Sequence, residues 1–150
     1  MDVTMEKRKK ISIRTVQRND IPHIIELLQS ISKFKPSKNE HQKIWDSLRR
    51  QKNFHSFVAV MENHVVGYGA IFIISNIRGG KLGQVEDIVS HPDFSKKGIG
   101  KMIMDTLFTV AKANGCYKIA LQCKEHYVEF YEKCNYEING LSMQRFVSDK

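Results

Sequence analysis

The chain contains 150 residues, of which 41% are hydrophobic, and its formal net charge is +8 at pH 7. This length and apolar content predict one folded domain, not a disordered chain, with roughly two thirds of the unfolded surface buried on folding. The longest nearly apolar run, residues 65–74, is about half as long as a membrane span, which argues against a transmembrane segment. We expect residues 1–10, which are polar and basic and unlike a signal peptide, to form a flexible tail, and residues 11–150 to form the single domain.

The first third of the chain predicts a strand followed by two helices. The predicted elements are a strand over residues 11–16, a helix from Ile21 whose apolar stripe reaches Ile31, and a helix that runs past Leu48. Asn19 or Asp20 can cap the first helix. The Ser37-x-x-Glu40 pattern is a capping box for the second helix.

The rest of the chain alternates between strands and helices. Two β-rich runs, 54–61 and 65–74, are separated by Glu62-Asn63-His64 and predict a hairpin, and Gly79-Gly80 within residues 75–82 predicts a mobile loop. The later elements are a strand over 83–90, a helix over about 98–114, a strand over 117–123, a short helix over about 126–134 and a last strand over about 136–146. The order β-α-α-β-β-β-α-β-α-β predicts an α/β (α+β) fold with a mixed sheet and helices on both faces.

The cysteines, histidines and basic residues narrow the class of protein. Cys116, Cys123 and Cys134 include no CxxC pair, which argues against a disulfide framework and favours a reducing, cytoplasmic setting. The six histidines have no paired spacing, so we expect no metal site. Lys and Arg are spread along the chain, so small phosphate-bearing ligands, or a merely solvated surface, explain the charge better than nucleic acid does.

The segment from Gln84 to the following long helix is the most informative part of the sequence. A short apolar strand carries Glu86 and Asp87, and about ten residues later Gly98-x-Gly100 opens an amphipathic helix. A helix N-terminus offers free N–H groups and the positive end of a dipole, and both attract phosphate oxygens. The sequence therefore predicts that a phosphate-bearing ligand and acid–base chemistry meet in one cleft.

Three side chains are candidates for that chemistry. Glu86 and Asp87 are neighbours on a strand, so they point to opposite faces and only one can address a ligand unless the strand bulges. A solvated carboxylate beside one that caps a loop is the alternative. Tyr131 lies on the short helix, and its phenol, with an ordinary pKa of about 10, can donate a proton to a departing thiolate. Core packing is the alternative for this tyrosine.

Longer motifs accompany these residues. They are Val85-Glu86-Asp87-Ile88, Gly115-Cys116-Tyr117-Lys118-Ile119, Val128-Glu129-Phe130-Tyr131-Glu132-Lys133-Cys134 and Met143-Gln144-Arg145. Through them, residues 11–146 resemble the GNAT superfamily of acetyl-CoA-dependent N-acetyltransferases, and more narrowly the eukaryotic glucosamine 6-phosphate N-acetyltransferases. The resemblance implies a GNAT fold, with a central mixed, mostly antiparallel sheet flanked by helices on both faces. It also implies acetyl transfer from acetyl-CoA to the 2-amino group of glucosamine 6-phosphate, towards UDP-N-acetylglucosamine and without a covalent enzyme intermediate.

The resemblance assigns roles residue by residue. Tyr131 matches the phenol near the CoA sulfur, and Glu86 and Asp87 match the sugar-facing pair that takes part in catalysis. The residues that match the acetyl-CoA site are Ile88, Val89, Lys96, Lys97, Gly98, Ile99, Gly100, Lys101 and Tyr127. The further residues that match or suit the sugar-phosphate site are Arg78, Tyr117, Lys118, Gln122, Lys124 and Arg145. Tyr117 and Lys118 match positions that reach the neighbouring subunit's site, which implies a homodimer with active sites near its interface. We expect neither a metal nor a nucleic-acid partner.

The chain departs from the family pattern at four positions. Ser95 replaces the usual Gln or Arg of the pyrophosphate loop. Lys96 and Lys97 can compensate electrostatically for the residue that is replaced. Gln122 replaces an acidic residue and cannot act as a base, which shifts that role to Glu86, Asp87 or a backbone carbonyl. Tyr127 replaces an Asn that contacts pantetheine, and Arg145 is offset by one residue from the family's C-terminal arginine.

Two other functions are compatible with these residues. One is acetylation of another small amine or of a protein amine, which the Gln122 departure keeps open. The other is a module that binds acyl-CoA without catalysis. Release of free thiol in the presence of defined amines distinguishes all three.

Overall fold

The structure, a computed structural model, describes residues 10–148, apart from the side chains of residues 95 and 96. The tail expected over residues 1–10 therefore lies outside the described range, except for Lys10. The strands are β1 (Ile11–Thr15), β2 (Phe54–Met61), β3 (His64–Asn76), β4 (Gly80–Ser90) and β5 (Cys116–Ala120). The helices are α1 (Ile21–Leu28), α2 (His41–Arg50), α3 (Ile99–Ala113) and α4 (Val128–Lys133), with short 3₁₀ turns before each of them.

The five strands form one mixed sheet in the order β1-β2-β3-β4-β5. The first four strands pair antiparallel with their neighbours, and β5 pairs parallel to β4. Antiparallel neighbours need only short turns, whereas the parallel β4–β5 pair needs a crossover, which α3 provides. The predicted mixed, mostly antiparallel sheet is confirmed.

Helices cover both faces of the sheet. On one face α3 packs on a core cluster that includes Ile71, Ile103 and Leu107. On the other face α1 packs on a cluster that includes Val58 and Tyr68. We refer to these as the α3 face and the α1 face. Each strand of the sheet's centre therefore has two buried sides, which explains the nearly continuous apolar runs of β2 and β3.

Two glycines of β3 bring α3 unusually close to the sheet. A Cβ atom at Gly67 would lie 2.6 Å from Ile99 Cγ2, and one at Gly69 would lie 2.5 Å from Ile103 Cγ2. Such distances are far inside van der Waals contact, so no larger residue fits without displacing α3. The close contact fixes the N-terminus of α3 relative to the strands.

The start of α1 depends on a buried carboxylate. Asp20 accepts two hydrogen bonds from the Arg14 guanidinium, at 2.7 and 2.9 Å, and one from the Gln17 backbone N–H at 2.7 Å. Burial alone would raise the pKa of Asp20, but these partners outweigh it and the pKa is lowered. Asp20 thus closes the 3₁₀ turn from which α1 begins, but its side chain makes no capping hydrogen bond to α1 itself, so the predicted side-chain cap of this helix is wrong.

Several predicted elements need correction. The loop predicted over residues 75–82 is wrong, because β3 extends to Asn76 and β4 begins at Gly80. Gly79, at φ +81°, supports a tight turn between these strands instead of a long loop. The first helix ends at Leu28, which leaves Ile31 exposed in the following turn.

The C-terminal strand predicted over residues 136–146 is also wrong. Residues 137–146 pair with no strand of the described sheet. Their large apolar side chains are almost fully exposed, for example Leu141 at 98% and Met143 at 94%. The pattern of a strand is present in this segment, but in the described structure it pairs with neither edge strand, β1 nor β5. We call residues 137–147 the C-terminal arm.

Candidate active site

The candidate site lies where β4 and β5 separate. Their pairing begins at Lys81 with Cys116 and ends at Gln84 with Ala120. β4 continues to Ser90, whereas β5 ends at Ala120 and the chain leads away towards α4. The side of β4 that faced β5 is therefore unpaired beyond Gln84, and its N–H and C=O groups can pair with an extended ligand.

A β-bulge places both predicted carboxylates beside this opening. Glu86 pairs with Ala70 and Val89 with Tyr68, so Asp87 and Ile88 together lie opposite one residue of β3. Asp87 takes the left-handed conformation, with φ +57°. The sequence analysis required a bulge in the strand for both carboxylates to address one ligand. The structure contains such a bulge, which interrupts the alternation of side chains at Asp87.

The two carboxylates influence each other. Partial loss of hydration raises the pKa of Asp87. The same loss raises the pKa of Glu86, and the nearby charge of Asp87 raises it further. Both groups remain solvent-accessible. A carboxylate with a raised pKa is a stronger base at neutral pH than an ordinary one, which is the property required to take a proton from an amine.

Tyr131 of α4 lies on the other side of the opening. It packs against the same core cluster as Ile88 of β4, and its ring contacts the rings of Phe130 and Tyr136 at centroid distances of 4.9 and 6.2 Å. Burial, followed by the proximity of Cys123 and Cys134, raises the pKa of Tyr131 to about 12. The phenol is therefore protonated at neutral pH and able to donate its proton.

The predicted phosphate socket corresponds to the N-terminus of α3. Gly98 takes the left-handed conformation at φ +75°, and Met102 N–H is the donor to its carbonyl, at 3.0 Å. The N–H groups before Met102 have no partner within the helix, by its geometry. A Cβ atom at Gly100 would lie 2.9 Å from Phe130 of α4, so the socket and the Tyr131 helix are in direct contact.

Two lysines flank the socket. The Lys97 ammonium lies 5.8 Å from the centre of the Phe94 ring, and Lys101 forms an ion pair with Asp105 at 2.8 Å. Both lysines are exposed, so each is available to a phosphate. The side chains of Ser95 and Lys96, also predicted here, lie outside the described part of the chain.

Three predicted sugar-site residues are not near the carboxylates of the same chain. Arg78 and Tyr117 line a cavity of about 260 Å³ at the turn between β3 and β4, and Lys118 lies beside Tyr117. This end of β4, at Gly80, is six residues from Glu86, or about 20 Å along a strand, whereas Lys118 lies opposite Leu82, four residues or about 13 Å from Glu86. Within one chain, the cavity at Arg78 and Tyr117 is therefore separate from the carboxylates.

The remaining predicted residues lie on exposed segments. Gln122 and Lys124 follow the end of β5, and Tyr127 immediately precedes α4, next to Tyr131. Arg145 lies on the C-terminal arm. Gln122, Lys124 and Tyr127 are near the opening, whereas the position of Arg145 depends on where the arm binds.

The sequence analysis missed one pair of side chains, Ser56 and Tyr68. Tyr68 is 7% exposed on the α1 face and is hydrogen-bonded to Ser56. Burial, followed by the charge of Asp87, raises the pKa of Tyr68. A hydroxyl within the otherwise apolar run Val65–Ile73 was the available signal.

The chain was compared with known proteins. The sequence model of the acetyltransferase (GNAT) family matches residues 21–136. The glucosamine 6-phosphate N-acetyltransferase of Schizosaccharomyces pombe is 35% identical over 65% of this chain and 96% of its own length. Glucosamine 6-phosphate N-acetyltransferase 1 of Dictyostelium discoideum is 31% identical over 81% of each chain.

Solved structures agree with these relatives. The crystal structure of glucosamine-6-phosphate N-acetyltransferase from Arabidopsis thaliana superimposes with a TM-score of 0.87 at 25% identity, covering 93% of this chain and all of that chain. The resemblance inferred from the motifs and the GNAT fold are thereby confirmed. Among the described residues, no helix is long and apolar enough to cross a membrane.

Stability of variants at Asp87 tests the bulge. The pKa of Asp87 is higher in the folded state than in the unfolded state, so the folded state holds this proton more tightly. The carboxyl therefore lowers the free energy of unfolding as pH rises from the unfolded-state pKa through the folded-state pKa. We expect Asp87→Asn to be more stable than the wild type at about pH 8, with the difference shrinking towards about pH 4. Asp87→Ala should be about 1 kcal/mol less stable than Asp87→Asn, because Asn tolerates the left-handed conformation better.

Urea unfolding across this pH range measures both differences. A wild type that is more stable than Asp87→Asn at pH 8 would show that the carboxylate is well paired, contrary to this assignment.

Proposed function

This chain belongs to the GNAT acetyltransferase family, and from that membership we propose that it transfers the acetyl group of acetyl-CoA to the 2-amino group of glucosamine 6-phosphate. The observation that carries the proposal is the bulge at Asp87, which sets two carboxylates of raised pKa beside the opening between β4 and β5. Relatives named for this reaction support the choice of acceptor.

The residues present fit acetyl-CoA. The unpaired side of β4 at Ile88 and Val89 suits the pantetheine arm, which has amide groups able to pair with a strand. The α3 N-terminus, with Gly98, Ile99 and Gly100, suits the pyrophosphate. Lys97 and Lys101, together with Lys96, add positive charge, and Tyr127, which immediately precedes α4, is near Tyr131. Acetyl-CoA supplies the acetyl group as a thioester.

The carboxylates prepare the acceptor. Only a neutral amine can attack a carbonyl carbon, and the amine of an amino sugar is less basic than that of lysine because neighbouring oxygens withdraw electrons. A carboxylate of raised pKa is therefore a sufficient base, directly or through water. Gln122 cannot take this role, so we assign it to the Glu86–Asp87 pair.

Two further groups serve the later steps of the reaction. On β4, a backbone N–H near Ile88 stabilises the charge that develops on the carbonyl oxygen. Tyr131, protonated at neutral pH, gives its proton to the departing thiolate. Attack is direct, and no covalent enzyme intermediate is required.

A homodimer reconciles the positions of the sugar-site residues. Arg78 and Tyr117 line the turn between β3 and β4, about 20 Å along β4 from Glu86, and Lys118 pairs about 13 Å from Glu86 along the same strand. β5 is the edge of the described sheet, and the C-terminal arm exposes Ile138, Leu141 and other apolar residues that a second subunit would bury. In such a dimer, Lys118, Arg145 and further cations, among them Arg78 and Lys124, bind the 6-phosphate, and Gln122 contacts the sugar. We place the reaction in the cytoplasm, on the route to UDP-N-acetylglucosamine.

Thiol release with amino sugars tests the acceptor. With acetyl-CoA, we expect a kcat/KM for glucosamine 6-phosphate at least about 100-fold above that for glucosamine, because two charge-assisted contacts to phosphate contribute ~3 kcal/mol together. Mass spectrometry identifies the product. Equal rates on both sugars contradict phosphate recognition, and turnover only with other amines or peptides identifies a different acceptor.

Tyr131→Phe tests the proton donor. We expect kcat to fall by about 100-fold, within the usual range for a general acid, while the affinity for acetyl-CoA stays within about twofold. Isothermal titration with acetyl-CoA and stopped-flow thiol release give the two values. An unchanged kcat removes Tyr131 from the mechanism, and lost affinity with normal kcat assigns it to binding.

Complementation tests the shared site. Glu86→Gln and Lys118→Ala are each expected to be nearly inactive, but heterodimers co-purified through two different tags should recover activity, because one of their two sites contains both native residues. Heterodimers without activity would place both residues in the same subunit's site. A chain that is monomeric at assay concentration would reject the shared site altogether.

A further inference from the structure

The turn that leads into α3 begins at a histidine that has no part in the proposed reaction. Residues Pro92–Lys97 form a 3₁₀ turn whose N-cap is His91, and the turn ends at Gly98. The first N–H groups of such a turn need acceptors from outside it, and the proline at its first position has none to offer. His91 supplies the acceptors: its Nδ1 accepts from the Asp93 N–H at 3.2 Å, and its carbonyl accepts from the Phe94 N–H at 2.9 Å.

The backbone of His91 connects this turn to the sheet. His91 is the first residue after β4, and its N–H donates to the Val66 carbonyl of β3 at 2.8 Å. Val66 is fully buried in the core cluster on the α3 face. The position of the cap is therefore set by the strands and not by the turn itself.

The imidazole ring makes a second contact with the turn. The centroids of the His91 and Phe94 rings are 5.3 Å apart, and the Lys97 ammonium lies 5.8 Å from the centroid of the Phe94 ring. The usual N-cap residues, Asn, Asp, Ser and Thr, offer an acceptor alone. A histidine offers an acceptor and a ring, so one side chain holds the start of the turn and, through Phe94, the lysine at its end.

The hydrogen bond to Nδ1 determines the protonation state of the ring. A ring nitrogen that accepts from a backbone N–H carries no proton, so His91 is neutral with its proton on Nε2. A charged ring would instead donate from Nδ1, and the Asp93 carboxylate, at 3.8 Å, would be available to it. The other ionisable side chains that line a groove together with His91 are His23, Glu26 and His64. The cap and the ion pair with Asp93 are thus alternatives.

We propose that His91 is a positioning residue for the donor: it presets the turn that brings Lys97 and the N-terminus of α3 to the pyrophosphate of acetyl-CoA. A turn that is ordered beforehand binds its ligand without the entropic cost of ordering it. Because α3 begins directly after Gly98, the path of the turn sets the direction of the first N–H groups of the helix. This role rests on the proposed acetyl-CoA site, whereas the cap itself does not.

Titrations with two donors test this role. S-acetylpantetheine carries the thioester and the pantetheine arm of acetyl-CoA but lacks the pyrophosphate. We expect His91→Ala to raise the Kd of acetyl-CoA about tenfold, the scale of a lost N-cap, and to leave the Kd of S-acetylpantetheine within about twofold of the wild type. Calorimetry measures the first value and an NMR titration the second. A general loss of structure would weaken both donors equally and would overturn the proposal, as would an unchanged Kd for acetyl-CoA.

Two further variants separate the cap from other effects. Asn is an ordinary N-cap, so His91→Asn restores the acceptor without the ring, and we expect its Kd for acetyl-CoA to stay within about threefold of the wild type. His64→Ala is the matched control, because His64 lines the same groove but lies on β3, outside the turn. A His91→Asn variant as weak as His91→Ala overturns the capping role, and an equal loss in His64→Ala overturns the assignment to His91.

Nitrogen-15 NMR of the free protein tests the cap without any donor. With the ring signals of His91 assigned from His91→Asn, we expect a proton on Nε2 and none on Nδ1 at about pH 8, above the usual titration range of histidine. A proton on Nδ1, or a charged ring, overturns the proposal. A confirmed cap in a wild type that binds acetyl-CoA no more tightly than S-acetylpantetheine shows that the proposed pyrophosphate site is wrong, and the positioning role fails with it. Both measurements are independent of the acceptor.

Discussion

The early end of pairing between β4 and β5 is the constraint on which the site depends. Up to Gln84 and Ala120 the two strands form an ordinary parallel pair, and beyond that point one strand continues alone. An unpaired strand edge inside a protein is costly unless something else satisfies its N–H and C=O groups. The opening is therefore a groove between two elements, and its unpaired N–H and C=O groups are available to a ligand that resembles a strand.

The two sides of the opening are chemically different. The β4 side carries Glu86 and Asp87, whose charged forms are disfavoured by partial loss of hydration. The α4 side carries Tyr131, whose neutral form is favoured by burial. A base and an acid thus face each other with the donor's thioester between them in the proposed complex. The same physical cause, reduced hydration, makes the carboxylates stronger bases and keeps the Tyr131 phenol in its protonated form.

Sequence patterns predicted the elements better than their connections. The β2–β3 hairpin, α3 and its glycine-opened N-terminus followed from periodicity and turn residues, and the motifs identified the family. The turn at Gly79 was misjudged because two glycines indicate a reversal of the chain but not its length. The strand pattern of residues 136–146 was correct as a pattern, but pairing requires an edge, which is a property of the tertiary or quaternary structure. The Ser56–Tyr68 pair was missed because it depends on the register between β2 and β3.

The glycines at positions 67 and 69 have a consequence beyond packing. Because α3 rests directly on the backbone of β3, no side chain separates the helix proposed to receive the donor's phosphates from the strand that pairs with the bulge at Asp87. A methyl group added at either glycine would displace the helix, and with it the proposed phosphate site, away from the carboxylates. In the proposed mechanism, two residues that touch neither substrate thus set the spacing between the donor and the base.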